Sequence, residues 1–359
     1  MSSESIVICC GGTDACTLRS NGTDRILLAN SATFVADGIT FIGGIATSPE
    51  PFDTILPYSS GLSGGNVAIT SGGSDRIGIV LLRNCEFHNG YAPDFGGNMF
   101  ITVPSGGTIT LEGCAFIGGK ASFGGGLALA GGARSADIFI NDTSFHGNAA
   151  SLSTAMAEGG GLYYYSVFFE YFDGSSPAVN SSITILQSEF SENRADNGGG
   201  LACMADLVES GEAPIGHQDG LTSRMSLQKS TFRNNYAADA GGGAYFFGAK
   251  NLTIDQSNFV GNRGFYGGGF IATQLGELPK LTLLNSVYED NQGGAAEIFL
   301  YDKAANMGIA GNSGTNNTEL QPLTDEYCEG FHFFLFSSNC CLPEDVTAVG
   351  PSLEVCEFF

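Results

Sequence analysis

The chain has 359 residues, 53 of them glycine, and a formal net charge of −23, because 37 acidic residues outnumber 14 lysines and arginines. Nucleic acids and anionic membranes bind basic patches, so this charge argues against both as partners. It also disfavours unaided binding of polyuronates, although bridging calcium would reverse that preference. The sequence has no continuous apolar run of 18 residues, so no transmembrane helix is predicted.

Residues 1–30 predict an N-terminal cap. Residues 6–10 form an apolar run typical of a strand, and residues 21–24 predict a turn before a second strand at 25–28. Beyond the cap an aromatic anchor recurs about every 28 residues, or at longer intervals where an insertion intervenes. A regular repeat of this length is the signature of a solenoid, a protein built from stacked structural repeats. The anchors are Phe41, Phe87, Phe116, Phe145, Phe190, Phe232, Phe259 and Tyr288. We expect their rings to form one stacked internal ladder.

Alignment on the anchors reveals columns of like residues. Aliphatic residues or Met stand seven and five positions before the anchors from Phe87 onward, as Ile183 and Ile185 do before Phe190. Residues two apart share one face of a strand. The next column stands two positions before the anchors, which is a step of three residues instead of two. This odd step predicts a bend between two strands, with a column of polar residues that point outward. That column is Asn84, Gly113, Asp142, Gln187, Lys229, Gln256 and Asn285. A third strand follows each glycine triplet.

Three short strands per turn, stacked in parallel, predict an all-β protein with a parallel β-helix of about eight rungs over residues 31–301. A helical solenoid is excluded because the period is two, and because each glycine would cost a helix roughly 1 kcal/mol. One further column stands three positions after successive anchors. It consists of Asn148, Asn193, Asn235, Asn262 and Asn291. Stacked at the strand spacing, these side-chain amides are expected to bond one another along the axis.

Three insertions interrupt the repeat, at residues 44–63, 166–180 and 205–221. The second is aromatic and the third is acidic. Both leave the repeat after the third strand, in consecutive rungs, so we expect them to emerge side by side and to form the binding surface. The candidate binding residues are Phe168, Phe169, Tyr171, Phe172, Asp206, Glu209, Glu212 and Asp219. The aromatic residues would stack on sugar rings or cover the flank of the solenoid.

Most of the ten cysteines lie near the chain ends. These are Cys9, Cys10, Cys16, Cys328, Cys340, Cys341 and Cys356. They predict disulfide-bonded caps, with residues 302–359 as the C-terminal cap, on a protein from an oxidising compartment. A zinc site is the alternative, but adjacent cysteines lack the usual spacing and histidine is scarce. Cys85 and Cys114 share a column one rung apart, as stacked thiols or as a disulfide. Within the C-terminal cap, the apolar run at 331–336 is expected to cover the last open sheet edge.

The opening residues 1–5 do not form a signal peptide. The chain is therefore a trimmed product, part of a longer gene product, or a cytosolic protein. The cysteines favour an extracellular or cell-surface location over the last of these.

The repeat phrases resemble those of chlamydial polymorphic outer membrane proteins and of similar algal and protist proteins. The matching phrases run from Phe145 to Asn148, Phe190 to Asn193, Phe232 to Asn235 and Phe259 to Asn262, each followed by a glycine triplet. The resemblance implies a right-handed parallel β-helix of pectin-lyase-like fold, secreted or at the cell surface, with adhesion as the usual role. No C-terminal membrane-barrel strands follow the repeat, so the resemblance does not extend to self-secretion.

Catalytic motifs of β-helix enzymes are not found. The sequence lacks the Asn-Thr-Asp, Asp-Asp and Gly-His-Gly set of polygalacturonases and the Asp-Pro-His of alginate epimerases. The remaining candidates are Asp196 and Asp239, which share one column, with Arg194 and Arg233 nearby. Two carboxylates one rung apart could hold Ca²⁺, and an arginine could serve β-elimination of a uronide. The alternative is a solvated turn of mixed charge.

These observations leave two classes of function. The first is a structural or adhesive surface protein that binds a protein or a polysaccharide, with Ca²⁺ as the one candidate cofactor. The second is a polysaccharide-active enzyme: a uronide lyase, an epimerase or a hydrolase. The fold alone does not decide between them.

Overall fold

The computed structural model describes residues 5–10, 16–30, 33–46, 62–70, 78–103, 106–131, 136–151, 156–168, 181–208, 224–248, 251–273, 280–293, 298–301, 306–319 and 332–335. Within these ranges every named element is a strand, so the described part of the chain is all-β. Successive strands enter three ten-stranded sheets in turn, and each circuit of the chain adds one strand to each sheet. This order is the one expected of a parallel β-helix.

We number the long sheets by the order in which the chain enters them. Sheet 1 consists of Ser5–Cys9, Thr33–Asp37, Ile79–Arg83, Thr108–Glu112, Asp137–Asn141, Ser182–Leu186, Arg224–Gln228, Asn251–Asp255, Lys280–Leu284 and Asn306–Ala310. Sheet 2 consists of Cys16–Arg19, Ile39–Ile42, Glu86–His88, Ala115–Ile117, Ser144–His146, Glu189–Ser191, Thr231–Arg233, Asn258–Val260, Val287–Glu289 and Ser313–Thr315. Sheet 3 consists of Leu27–Asn30, Val67–Thr70, Met99–Val103, Leu127–Gly131, Leu162–Phe168, Leu201–Val208, Ala244–Phe247, Phe270–Thr273, Ile298–Tyr301 and His332–Leu335.

A short sheet lies between sheets 2 and 3 in the path of the chain. Its strands are Lys120–Ala121, Ala149–Ala150, Arg194–Asn197 and Tyr236–Ala240. Gln292–Gly293 and Thr318–Glu319 form a further pair at the equivalent place in later circuits.

Strand pairing aligns equivalent residues of successive circuits, as Phe145, Phe190 and Phe232 show in sheet 2. The predicted aromatic ladder is confirmed. Its eight rings, from Phe41 to Tyr288, are fully buried, and each stacks on the next with centroids 4.6–5.2 Å apart. Aliphatic residues from sheets 1 and 3 pack against these rings and complete the same hydrophobic core.

The bend predicted between sheets 1 and 2 is a column of left-handed residues. All seven of its predicted members have positive φ, between 48° and 62°. Asp and Asn tolerate this conformation, but Gln and Lys do so less readily. Gln187, Lys229 and Gln256 therefore occupy it because the strands on both sides fix the corner. The first glycine of each triplet makes a further corner: at Gly198, φ is 63° and a Cβ would lie 2.2 Å from the Leu201 carbonyl oxygen.

The column two positions before the anchors forms a hydroxyl ladder inside the corner. The Ser188 hydroxyl donates to the Leu186 carbonyl and accepts the Thr143 backbone N–H, and Ser230 repeats both bonds one circuit later. Cys85 and Cys114 hold the same position, and their thiols donate to Arg83 and Glu112 carbonyls. Both are unbridged thiols. The neighbouring Cys85 side chain, and then burial, raise the pKa of the Cys114 thiol.

The predicted asparagine ladder is confirmed and is longer than predicted. Each side-chain NH₂ donates to the next Oδ1 at 2.9–3.3 Å. The members in order are Asn66, Asn98, Asn148, Asn193, Asn235, Asn262, Asn291 and Asn317. Each Oδ1 also accepts one backbone N–H, as Asn235 accepts that of Asn193. The ladder therefore satisfies a column of buried backbone donors.

Asn66 and Asn98 enter this ladder from a different position. Each replaces the third glycine of its triplet. The column that supplies asparagine in later circuits holds glycine opposite them, with Gly90 facing Asn66 and Gly119 facing Asn98. A Cβ on Gly119 would lie 2.6 Å from the Asn98 amide nitrogen, and one on Gly90 would lie 3.0 Å from that of Asn66. From Asn148 onward the roles are reversed, with Gly126 facing Asn148. Each facing pair thus holds one asparagine and one glycine.

The chain ends contribute more strands than the sequence predicts. The segment 1–30, interpreted as a cap, supplies the first strand of each long sheet, and a disulfide joins Cys10 to Cys16 between the first two. Cys9 is an exposed thiol. At the other end His332–Leu335 pairs antiparallel with Ile298–Tyr301, so the apolar run covers the edge of sheet 3 as expected. Cys328, Cys340, Cys341 and Cys356 lie outside the described residues.

Candidate functional site

The short sheet carries a ladder of outward side chains on the surface of the molecule. Backbone pairing connects the same position of successive circuits. The members in order are Tyr91, Lys120, Ala149, Arg194, Tyr236, Arg263 and Gln292. All are exposed except Ala149, which is half-buried. We call this column the outer ladder.

A groove crosses two circuits beside the outer ladder. Its volume is about 460 Å³, and it is lined by Glu192, Arg194, Asn234 and Tyr236. Glu192 and Asn234 are left-handed, with φ of 58° and 53°, and form the corner between sheet 2 and the short sheet. The residues that follow this corner, Asn193 and Asn235, point into the core, whereas Glu192 and Asn234 themselves stay on the outside. The groove therefore offers a guanidinium, a carboxylate, an amide and a phenol on one rigid surface.

The structure brings three of the four catalytic candidates onto the short-sheet surface. Arg194 and Asp196 lie on one strand, and Asp239 lies on the next. Burial, and then the charge of Asp196, raise the pKa of Asp239. The Asp196 carboxylate accepts the backbone N–H of Ala157 at 2.9 Å. Arg233 lies elsewhere, on sheet 2 between Ser191 and Val260.

The candidate calcium ligands form only a pair. In the ranges that the structure describes, no group of three or more His, Cys, Asp or Glu residues is arranged to hold a metal ion. Calcium takes six to eight oxygen ligands. Asp196 and Asp239 could supply part of such a set, and one oxygen of Asp196 already binds the Ala157 amide.

Glu158 is a titratable residue that the sequence did not single out. It is 8% exposed, and burial raises its pKa to about 7, partly offset by hydrogen bonds to Asn197 and Tyr163. Its backbone bridges Phe123 and Asn197 in the position just before the glycine triplets. An acidic residue in a column otherwise occupied by uncharged side chains was the available signal.

The two insertions begin later than predicted. Strands Leu162–Phe168 and Leu201–Val208 continue past Ser166 and Ala205, where the insertions were placed, because the two extensions pair with each other. Val167 pairs with Leu207 and Phe168 with Val208 after a register shift. Phe168 and Asp206 therefore lie on strands. The other predicted binding residues lie outside the described ranges: Phe169, Tyr171, Phe172, Glu209, Glu212 and Asp219.

Comparison of the chain with protein-family models, with curated proteins and with solved structures finds no match. Among the residues that the structure describes, there is no helix of the length and apolarity needed to span a bilayer. The site must therefore be interpreted from its own geometry.

Proposed function

We propose that the chain is a right-handed parallel β-helix that acts as a secreted or cell-surface scaffold and binds a surface protein or a polysaccharide. The repeat phrases, which resemble those of polymorphic outer membrane proteins, and the alternation of three parallel sheets support this fold. On this interpretation each circuit is one rung. The Cys10–Cys16 disulfide supports an oxidising compartment.

The observation that carries the proposed function is the pairing of Leu162–Phe168 with Leu201–Val208. Neighbouring strands lie about 4.8 Å apart. The two strands lead into an aromatic and an acidic segment, residues 169–180 and 209–223. Both segments therefore start from one point on the flank of sheet 3. Apolar area beside negative charge suits a protein, or a glycan bridged by calcium.

Deletion of residues 169–180 tests this proposal. The variant should keep its far-UV circular dichroism and lose binding to the ligands that the intact protein selects from a glycan array and a panel of immobilised extracellular proteins. Deletion of residues 49–60, a segment of equal length in the first insertion, is the matched control and should keep binding. Normal binding by the first variant would contradict the proposal.

A polysaccharide-active enzyme is the second candidate, favoured by the raised pKa of Asp239 and by the groove that Arg194 lines on the same sheet. The Asp239 carboxyl and the Arg194 guanidinium lie on adjacent strands of the short sheet and could act as acid–base group and cation in uronide cleavage. A lyase would generate unsaturated sugars with a new ultraviolet absorbance. Product formation that is lost in both Asp239→Asn and Arg194→Ala would establish this function in place of the scaffold.

A further inference from the structure

The outer ladder concentrates positive charge on a protein of strongly negative charge. Lys120, Arg194 and Arg263 belong to the 14 cations that oppose 37 acidic residues in the whole chain. All three are exposed, and none makes an ion pair with any residue that the structure describes. Their charge is therefore available to a ligand.

The three cations are evenly spaced along the stack. One residue, Ala149, separates Lys120 from Arg194, and one residue, Tyr236, separates Arg194 from Arg263. At the spacing of neighbouring strands, their backbones recur about every 10 Å. Because the strands fix this spacing, the positive side chains branch from a rigid row of backbone positions. Such a row matches a polymer whose negative groups also recur regularly.

The positions near the cations suit sugar rings. Tyr236 is 42% exposed and Tyr91 is 37% exposed, so each presents ring surface to solvent. A phenol ring offers an apolar face and a hydroxyl, and Ala149 leaves open surface between two cations. Glu192 and Asn234 add hydrogen-bonding groups in the groove beside Arg194. The guanidinium binds carboxylate in a bidentate manner.

We propose that the outer ladder is a binding site for a linear acidic polysaccharide, which lies along the stack with its anionic groups on Lys120, Arg194 and Arg263. The site is separate from the flank that carries residues 169–180 and does not depend on the function proposed for it. The net charge of −23 disfavours such a ligand on average. On this surface the three cations stand in one column, whereas Asp196 and Asp239 lie two and three residues farther along their strands, so the column itself favours an anionic ligand.

The experiment measures the Kd of three oligosaccharides of equal length by calorimetry, in the presence of a chelator so that calcium cannot bridge. They are an oligogalacturonate, a neutral galactan oligomer and a sulfated galactan oligomer. We expect the two acidic chains to bind and the neutral chain to bind at least about tenfold more weakly. The stronger of the acidic chains identifies the anionic group. Equal binding of the neutral chain, or no binding of either acidic chain, would overturn the proposal.

The variant Arg194→Ala/Arg263→Ala should weaken acidic binding about tenfold and make Kd less dependent on salt, because fewer counterions are exchanged. Arg224→Ala removes an exposed arginine from sheet 1 and serves as the matched control, with unchanged Kd. Tyr236→Ala should weaken binding, whereas Phe265→Ala, which removes an exposed ring outside the ladder, should not. Unaltered binding by the double arginine variant refutes the inference.

The deletion of residues 169–180 separates this inference from the scaffold proposal. Acidic binding should survive that deletion. If the deletion abolishes acidic binding while Arg194→Ala/Arg263→Ala leaves it intact, the flank is the glycan site and the outer ladder is not. If the deletion variant loses its selected ligand and keeps the acidic chain, both sites exist.

Discussion

Single residues hold this stack together because each buried side chain has the same neighbour above and below. Phe190 lies between Phe145 and Phe232 with both centroid distances at 4.6 Å. Such columns could be predicted from the sequence, since the spacing of anchors and aliphatic residues repeats. Glu158 could not be predicted in the same way. Its pKa is raised by burial and partly lowered by hydrogen bonds to Asn197 and Tyr163, and a repeat pattern encodes none of these effects.

Phe190→Ala should lower the free energy of unfolding by about 3–5 kcal/mol, because it opens a cavity between two stacked rings. Urea titration followed by circular dichroism measures this change. Phe139→Ala is the matched control: Phe139 is 37% exposed on sheet 1, so its loss should cost less than about 1 kcal/mol. Equal costs for the two variants would contradict the internal ladder.

Glu158 should make stability depend on pH. Burial raises its pKa from 4.5 to about 7, so the folded state binds its proton more tightly than the unfolded state. The stabilising contribution is complete below pH 4.5 and is lost as pH rises to about 7, a change on the order of 3 kcal/mol.

Unfolding free energies measured between pH 4.5 and 7.5 test this dependence. Glu158→Gln, which cannot ionise, should remove that part of the slope. Glu112→Gln, at an exposed carboxylate paired with Arg83, should leave the slope in place. The interpretation of Glu158 is wrong if its variant and the intact protein have the same slope.

At the scale of elements, corners and glycines determine where strands can stack. The bend column was predictable because its polar residues interrupt an alternating pattern. The sequence also shows asparagine at residues 66 and 98 in place of the third glycine of a triplet. The pairing of each asparagine with a glycine could not be predicted from this, because the sequence does not show which positions face each other. The extensions of the strands past Ser166 and Ala205 were not predictable, because neither has a core pattern of its own and each is held by the other.

A double-mutant cycle tests the facing pair Asn98 and Gly119. Asn98→Gly removes the oxygen that accepts the Gly90 N–H at 2.8 Å and leaves a buried donor unpaired. Gly119→Asn alone places a Cβ 2.1 Å from the Gly125 carbonyl oxygen and 2.6 Å from the Asn98 amide nitrogen. The double variant removes the contact with Asn98 and restores one amide opposite a glycine, as at Asn148 and Gly126. The contact with the Gly125 carbonyl is common to both Gly119→Asn proteins. It should therefore be more stable than the sum of the single effects by about 2 kcal/mol or more.

Chemical denaturation of the four proteins gives this coupling energy. Additive effects would mean that the two positions do not share one amide site.

At the scale of the molecule, the net charge of −23 opposes the compact state. Its core ladders consist of rings and neutral amides, whose contacts salt does not screen. Added NaCl should therefore raise Tm, because it screens repulsion between surface carboxylates. Thermal unfolding at about 10 mM and 300 mM salt measures this effect. Between these two concentrations the Debye length falls from roughly 30 Å to below 10 Å.

Choline chloride should raise Tm by the same amount as NaCl at equal ionic strength. A larger rise in CaCl₂ at that ionic strength would reveal bound calcium, for which Asp196 and Asp239 are the candidate residues. A fall in Tm with NaCl would show that attractive ion pairs dominate the surface and would contradict the prediction.

The asparagine ladder also gives the stack a polarity. Each amide from Asn66 to Asn291 donates to the Oδ1 of the asparagine on its C-terminal side, and Asn317, the last acceptor in the row, donates to the Tyr288 carbonyl. Their dipoles add, and hydrogen bonds in such a chain polarise one another. One face of the stack therefore presents acceptors and the opposite face presents donors. A rung grafted beyond Asn317 must supply an acceptor, and one grafted before Asn66 must supply a donor, so repeats can be appended to this molecule in one orientation only.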